Sequence, residues 1–153
     1  MRTPQSLTTL ACTRRDVVGY AILTLISGES LATEQSSSSE PDHRWYEAAV
    51  SMKHLAESWG DQPYGAVLVL SGVLVGEGPS RVVKNQDSNA HAERVAIKDA
   101  QRRLGRSSLS GSVLYSTSRP CAVCEAAAAQ AGISRMYFGQ SLTDAGKPRL
   151  TTQ

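Results

Sequence analysis

Two hydrophobic periodicities divide the chain into helices and strands. Apolar residues recur at the three-to-four-residue spacing of a helix face from about Glu40 to Trp59, and Gly60 ends that pattern. Ser39 and Asp42 form an S-x-x-D capping signal with a proline in the first turn. The apolar face comprises Trp45, Ala48, Ala49, Met52, Leu55, Ala56 and Trp59. The spacing therefore predicts a first helix that packs on a core.

Strands and helices then alternate. Two β-branched runs, Gly65–Leu70 and Val73–Glu77, are joined by the two-residue hairpin signal Ser71-Gly72. The remaining predicted elements are a helix over Ala90–Leu104, a strand over Gly111–Ser116, a helix over Cys121–Ala131 and a strand over Ile133–Phe138. This alternation predicts an α/β protein in which helices lie on the faces of a sheet. The sequence contains no internal repeat.

The N-terminus has a different character. Met1–Arg15 holds three arginines and no acid, and the apolar run Val17–Ile26 that follows is too short to span a bilayer. Small residues at positions 30 and 32 fit a peptidase site, so the pattern predicts a signal peptide over residues 1–32. Arg14-Arg15 resembles the twin-arginine motif of bacterial export. We expect a periplasmic protein; the alternative is an uncleaved N-terminal helix and a cytoplasmic protein.

Export would change the composition. The full chain of 153 residues carries a net charge of +2 and three cysteines, too few for a disulfide scaffold. Cleavage after Ala32 leaves 121 residues with 13 basic and 12 acidic side chains. Residues 33–41 are a Ser-rich lead-in, and 42–153 form the predicted domain, with no membrane segment. A nearly neutral protein is not expected to bind nucleic acid as its main partner.

The candidate chemistry begins with Cys121 and Cys124, at the start of a predicted helix. Two thiols at this spacing can reach the sulfur separation of about 3.7–3.8 Å that tetrahedral zinc requires. A helix N-terminus also favours the thiolate form. A redox dithiol is the alternative, although no thioredoxin-like pattern surrounds the pair.

His91 and Glu93 open the other helix that matters. His91 is the expected nitrogen ligand, which leaves a fourth zinc position for water. Glu93, which is not a ligand, is expected to take a proton from that water and pass it to a leaving amine. Residues two apart lie about 200° apart on a helix, so the pair can converge only at a helix start.

Together, Asn89–Glu93 and Pro120–Cys124 resemble the H-x-E…P-C-x-x-C signature of the cytidine/deoxycytidylate deaminase superfamily. Further stretches resemble its purine branch, which contains tRNA adenosine deaminases and guanine deaminases. They are His43–Ala49, Tyr64–Val69 and Arg135–Gly139. The resemblance covers about residues 42–140. It implies a three-layer α/β/α cytidine-deaminase-like fold with a mixed sheet of four to five strands, a Zn²⁺ cofactor and a homodimer.

The resemblance also implies a substrate pocket, and this chain differs from the purine branch at several positions near it. Gly65, Ala66, Ser80 and Ala92 are expected to line the pocket. Ser80 stands where the branch has a base-contacting asparagine, and Arg119 where it usually has glutamate. Only 15 residues follow Phe138, so the closing elements of the branch are expected to be missing or replaced by a partner subunit.

The predicted function is zinc-dependent hydrolytic deamination of a small amino-substituted N-heterocycle, a purine base or nucleoside, with release of ammonia. The alternatives are a tRNA adenosine deaminase activity and a non-catalytic, zinc-stabilised binding module.

Overall fold

The computed structural model describes residues 41–150. The predicted signal peptide, its twin-arginine motif and nearly all of the lead-in lie outside these residues. No helix in residues 41–150 has the length and apolar character needed to cross a membrane.

The order of elements follows the hydrophobic pattern. The helices are α1 (His43–Ser58), α2 (Ala92–Leu104) and α3 (Ala122–Gln130), and the strands are β1 (Gly65–Leu70), β2 (Val73–Pro79), β3 (Ser112–Ser116), β4 (Arg135–Phe138) and β5 (Thr143–Gly146). All seven predicted elements, three helices and four strands, form. Helix α1 begins later than predicted, and its N-cap is Asp42, which accepts a hydrogen bond from the Arg44 amide at 2.9 Å.

The five strands form one mixed sheet in the order β2-β1-β3-β4-β5. Strand β1 is antiparallel to β2 and β3, β4 is parallel to β3, and β5 is antiparallel to β4. The parallel pair is joined through α3, so α3 begins just beyond the carboxyl end of β3. This places Cys121 at the edge where β3 ends.

Helices cover both faces of the sheet. On one face Val67, Tyr115 and Tyr137 pack with Ala49 of α1. On the other face the alternate residues of the same strands pack with α2 and α3; this cluster includes Leu68, Leu114, Met136, Ile97, Ala100 and Ala128. Alternation along each strand therefore supplies two cores. The predicted three-layer α/β/α fold and its mixed sheet are confirmed.

Strand β5 was not predicted. Its residues Thr143–Gly146 have low strand propensity, and tertiary contacts hold them in place. Leu142, which precedes the strand, is buried against the tyrosines of β3 and β4. Arg135 of β4 pairs with Asp144 across the hairpin. The short segment after Phe138 thus adds a sheet edge, and no helix follows β5 among the described residues.

Two glycines allow the helices to approach the sheet closely. A Cβ atom on Gly65 would overlap the carbonyl oxygen of Ala49 in α1, and one on Gly78 would overlap the carbonyl oxygen of Ala92 at the start of α2. Any side chain at position 78 would therefore push away the helix turn that follows His91.

Candidate metal centre

The candidate centre lies where α2 and α3 begin. His91 and Cys121 are the N-cap residues of these helices, and both have extended backbone (φ −61°, ψ 152° and φ −77°, ψ 167°). Because His91 precedes the helix, the separation of about 200° between residues two apart on a helix does not apply to His91 and Glu93. The helices thus begin at Ala92 and Ala122, later than the predicted starts at Ala90 and Cys121.

The three predicted ligand residues meet at one point. The Nδ1 atom of His91 lies 3.6 Å from Cys121 Sγ and 3.4 Å from Cys124 Sγ. The three ligand atoms all lie within 4.8 Å of one another. For tetrahedral zinc with Zn–N near 2.0–2.1 Å and Zn–S near 2.3 Å, the expected N···S separation is about 3.6 Å. The arrangement therefore fits a zinc ion.

The chemistry of the donor set also fits a cation. Cys124 is buried, and its burial raises the pKa of the thiol, with the nearby charge of Glu93 and the neighbouring Cys121 adding to the effect. A metal ion reverses this balance because a coordinating thiol is deprotonated. The positive ends of the two helices favour the resulting thiolates.

Glu93 lies beside the ligands without belonging to the three-residue group. Its Oε2 atom is 3.5 Å from Cys124 Sγ, and only 6% of the residue is exposed. Burial raises the pKa of this carboxyl, although hydrogen bonds to its own backbone N–H and to Cys124 act in the opposite direction. A buried carboxylate in this position is suited to exchanging a proton.

A cleft of about 260 Å³ opens beside the centre. The residues that line it are Gln62, Tyr64, His91, Ala92, Glu93, Ser118, Arg119 and Cys121. A larger groove of about 360 Å³, lined by mixed charges around Arg94 and Lys98, contains none of the three ligand residues. The smaller cleft is therefore the candidate substrate site.

One of the four predicted pocket residues lines the cleft. Ala92 lines the cleft, whereas Gly65, Ala66 and Ser80 are not among its lining residues. Gly65 faces α1, and Ala66 packs with Ala92 and Ala96 beneath the site. Ala66 thus supports the site from behind through Ala92, whereas Gly65 allows α1 to approach the sheet.

Ser80 is fully buried and donates a hydrogen bond to Asp61 Oδ1 at 2.9 Å. The Asp61 carboxylate also accepts bonds from the backbone amides of Gln62, Val83 and Lys84, at 2.8–3.0 Å. This network fixes the loop between β2 and His91. Sequence reasoning missed Asp61, because an aspartate after a helix-ending glycine has the appearance of a surface residue.

The protein-family model of the cytidine and deoxycytidylate deaminase zinc-binding region matches residues 39–140. The chain belongs to this family. Its candidate metal centre is the zinc-binding site of a zinc-dependent hydrolytic deaminase, and the predicted Zn²⁺ cofactor is confirmed.

Relatives of two kinds place this deaminase in the purine branch. It is 36% identical to a tRNA-specific adenosine deaminase of Buchnera aphidicola over 109 residues, which cover 71% of this chain and 72% of that protein. It is 35% identical to the guanine deaminase of Bacillus subtilis over 85 residues, which cover 56% of this chain and 54% of that protein. The deaminase thus spans between half and three quarters of the length of these two relatives.

Solved structures of the same two kinds of deaminase are also similar to this chain. A structure from a study of A-to-I editing by tRNA:A34 deaminases is similar with a TM-score of 0.62 and 37% identity, covering 64% of this chain and 71% of that one. The guanine deaminase structure from Bacillus subtilis gives a TM-score of 0.62 and 30% identity, covering 65% and 64%. The predicted resemblance to the purine branch is confirmed.

Proposed function

We propose that this deaminase replaces the exocyclic amino group of a small purine base or nucleoside with oxygen and releases ammonia. One observation carries the proposal: a buried carboxylate, Glu93, lies beside a His/Cys/Cys ligand set without being part of it. A purely structural zinc site has no use for such a group.

His91, Cys121 and Cys124 would hold the zinc. The chemistry that zinc supplies when bound is Lewis acidity, which lowers the pKa of a water molecule. Glu93 accepts the proton that water loses as its oxygen attacks the ring carbon bearing the amino group. Glu93 then delivers that proton to the amino nitrogen, the C–N bond breaks and ammonia leaves. The reaction consumes one water molecule for each ammonia released.

The cleft lining supports a flat heterocycle as the substrate. Tyr64, which is 44% exposed, offers an aromatic face for stacking, and Gln62 and Ser118 offer hydrogen-bonding groups. The backbone of Ala92 lies between His91 and Glu93 at the same wall. The cleft volume suits a single base-sized group.

Charge favours a small purine over tRNA. Residues 33–153 carry 13 basic and 12 acidic side chains, whereas proteins that depend on phosphate contacts are usually basic. A tRNA adenosine deaminase activity is the second candidate, because several relatives bear that name. A non-catalytic zinc module is the third.

A panel assay separates the three. Ammonia release is measured with zinc-loaded protein on guanine, adenine, adenosine, cytosine, cytidine and a tRNA anticodon stem-loop, with Glu93→Ala as the inactive control. Turnover on a base or nucleoside supports the proposal, and turnover on the stem-loop alone supports the second candidate. Lack of turnover on all of them, at one zinc per chain, favours the binding module.

We further propose export and dimerisation. Export rests on the arginines and apolar run of residues 1–32, and N-terminal sequencing of periplasmic protein should give Thr33 as the first residue. An Arg14→Lys, Arg15→Lys variant should remain in the cytoplasm if the twin-arginine route is used.

A homodimer is supported by the exposed Val123, beside the metal ligands of α3. Sedimentation equilibrium that gives a monomer mass would contradict it.

A further inference from the structure

The candidate substrate cleft contains one side chain that the proposed chemistry leaves unused. Arg119 lines the cleft, immediately before Pro120 and the ligand Cys121. It is exposed, whereas Glu93 in the same cleft is buried. Its guanidinium therefore lies at the solvent side of the cleft, here called the rim, whereas the Glu93 carboxylate lies deeper.

Arg119 makes no hydrogen bond or ion pair with any residue of the described range 41–150. Other arginines of the fold do have acidic partners. Arg103 pairs with Glu77 at 2.5 Å and with Asp99 at 2.7 Å, and Arg135 pairs with Asp144 at 2.5 Å. The charge at the rim is thus available to a ligand.

Among the side chains that line the cleft, Arg119 is the one that can attract a negatively charged ligand. A zinc ion with two thiolates and a neutral histidine carries no net charge, and Glu93 is the one acidic residue of the lining. The lining residues Gln62, Tyr64 and Ser118 are neutral. A negative group on a substrate would therefore meet a cation at the rim and no opposing carboxylate there.

We infer that Arg119 is a specificity-determining residue that binds a phosphate on the substrate, so that the preferred substrate is a purine mononucleotide. This rests on the proposed deamination and extends its substrate from a purine base or nucleoside to the phosphorylated nucleoside. The cleft of about 260 Å³ holds the base, and the sugar and phosphate extend to the exposed rim. A guanidinium binds phosphate through two parallel N–H···O bonds, and Gln62 and Ser118 add donors nearby.

The test compares substrates that differ only in the phosphate. Kinetic constants are measured for guanosine 5′-monophosphate against guanosine, and adenosine 5′-monophosphate against adenosine, with wild type, Arg119→Gln, Arg119→Lys and the control Arg106→Gln. Arg106 is exposed and is not part of the cleft lining. We expect wild type and Arg106→Gln to prefer the monophosphate by about tenfold in kcat/KM, which corresponds to about 1.4 kcal/mol.

Arg119→Gln should bring that ratio close to one, and Arg119→Lys should keep part of it. The preference should also weaken as salt rises, because the guanidinium is exposed. Deamination with equal kcat/KM for both members of each pair would overturn the inference and leave the proposed function intact.

Binding gives a readout that does not depend on turnover. Dissociation constants of the same pairs for zinc-loaded Glu93→Ala are measured by calorimetry, with and without Arg119→Gln. Tighter binding of the monophosphate that is lost with Arg119 supports the inference even if no substrate is deaminated, in which case the proposed function fails alone. Equal binding of both members overturns the inference.

Discussion

Glu93 Oε2 lies 3.5 Å from Cys124 Sγ, although the two residues belong to different helices and are 31 positions apart in the chain. Both are buried, and the pKa of each is raised above its ordinary value, with burial as the largest cause. Two groups that both become anionic are held together only at a cost, unless a cation lies between or beside them. Their proximity links the metal ligands to the group proposed to move protons.

Replacing Glu93 with glutamine should stop turnover and leave zinc in place. The amide keeps the shape of the side chain but cannot accept a proton, and loss of a general acid–base group typically costs about 10²–10⁴-fold in rate. Ammonia release and zinc content by mass spectrometry are measured together. Glu47→Gln, on the exposed side of α1, is the matched control and should behave as wild type. Normal turnover by Glu93→Gln would contradict the assigned role.

Replacing His91 with glutamine should remove zinc and lower the melting temperature of the protein. His91 Nδ1 is within 3.6 Å of both sulfurs, so its loss leaves two thiols, which are too few ligands for a stable site. A metal that binds only the folded state stabilises it by mass action, and that contribution disappears with the metal. His54→Gln changes a histidine that pairs with Glu57 on the surface and should retain one zinc per chain. Full zinc content in His91→Gln would exclude it as a ligand.

The residues of the zinc site could be chosen from the sequence because their spacing has a chemical meaning. Cys121 and Cys124 at a helix start, and His91 two residues before Glu93, matched a known signature. The spacing did not predict how the backbone brings His91 and Cys121 to the same point. His91 and Cys121 reach the site as extended N-cap residues, so both precede the helices that were predicted to contain them.

Features that depend on distant partners were beyond sequence reasoning. Strand β5 is held by Leu142 against the tyrosines and by the pair of Arg135 with Asp144, and its own residues carry little strand signal. Ser80 was predicted to contact substrate from its position in the family pattern, whereas its hydroxyl bonds to Asp61, 19 residues earlier. No local pattern of polar residues identifies such a partner in advance.

Gly78→Ala should reduce both stability and zinc affinity. The added Cβ would overlap the Ala92 carbonyl oxygen, so the first turn of α2 must move, and His91 and Glu93 move with it. Overpacking of this kind typically costs about 1–3 kcal/mol in the free energy of unfolding. Gly72→Ala is the control, because an alanine there has open space and only the cost of its positive φ. Urea unfolding and a competitive zinc titration measure the two effects. Because Gly72 has a positive φ and Gly78 does not, Gly72→Ala should lose stability but keep its zinc affinity. A zinc affinity of Gly78→Ala equal to that of the wild type would contradict the predicted shift of the first turn of α2.

Asp61→Asn should destabilise the protein by about 1–3 kcal/mol at pH 7, because a neutral amide has one acceptor oxygen and cannot accept all four hydrogen bonds that the carboxylate accepts. Burial raises the pKa of Asp61, but hydrogen bonds from Lys84, Gln62, Ser80 and Val83 outweigh it, so the pKa lies below its ordinary value. The ionised carboxylate therefore stabilises the fold above about pH 4, and this contribution is lost as the pH falls through the folded-state pKa. The difference in free energy of unfolding between wild type and Asp61→Asn should thus shrink below about pH 4. Zinc is released from both proteins in acid, so the difference between them at each pH isolates Asp61. A difference that stays constant from pH 7 to pH 3 would contradict the network as described.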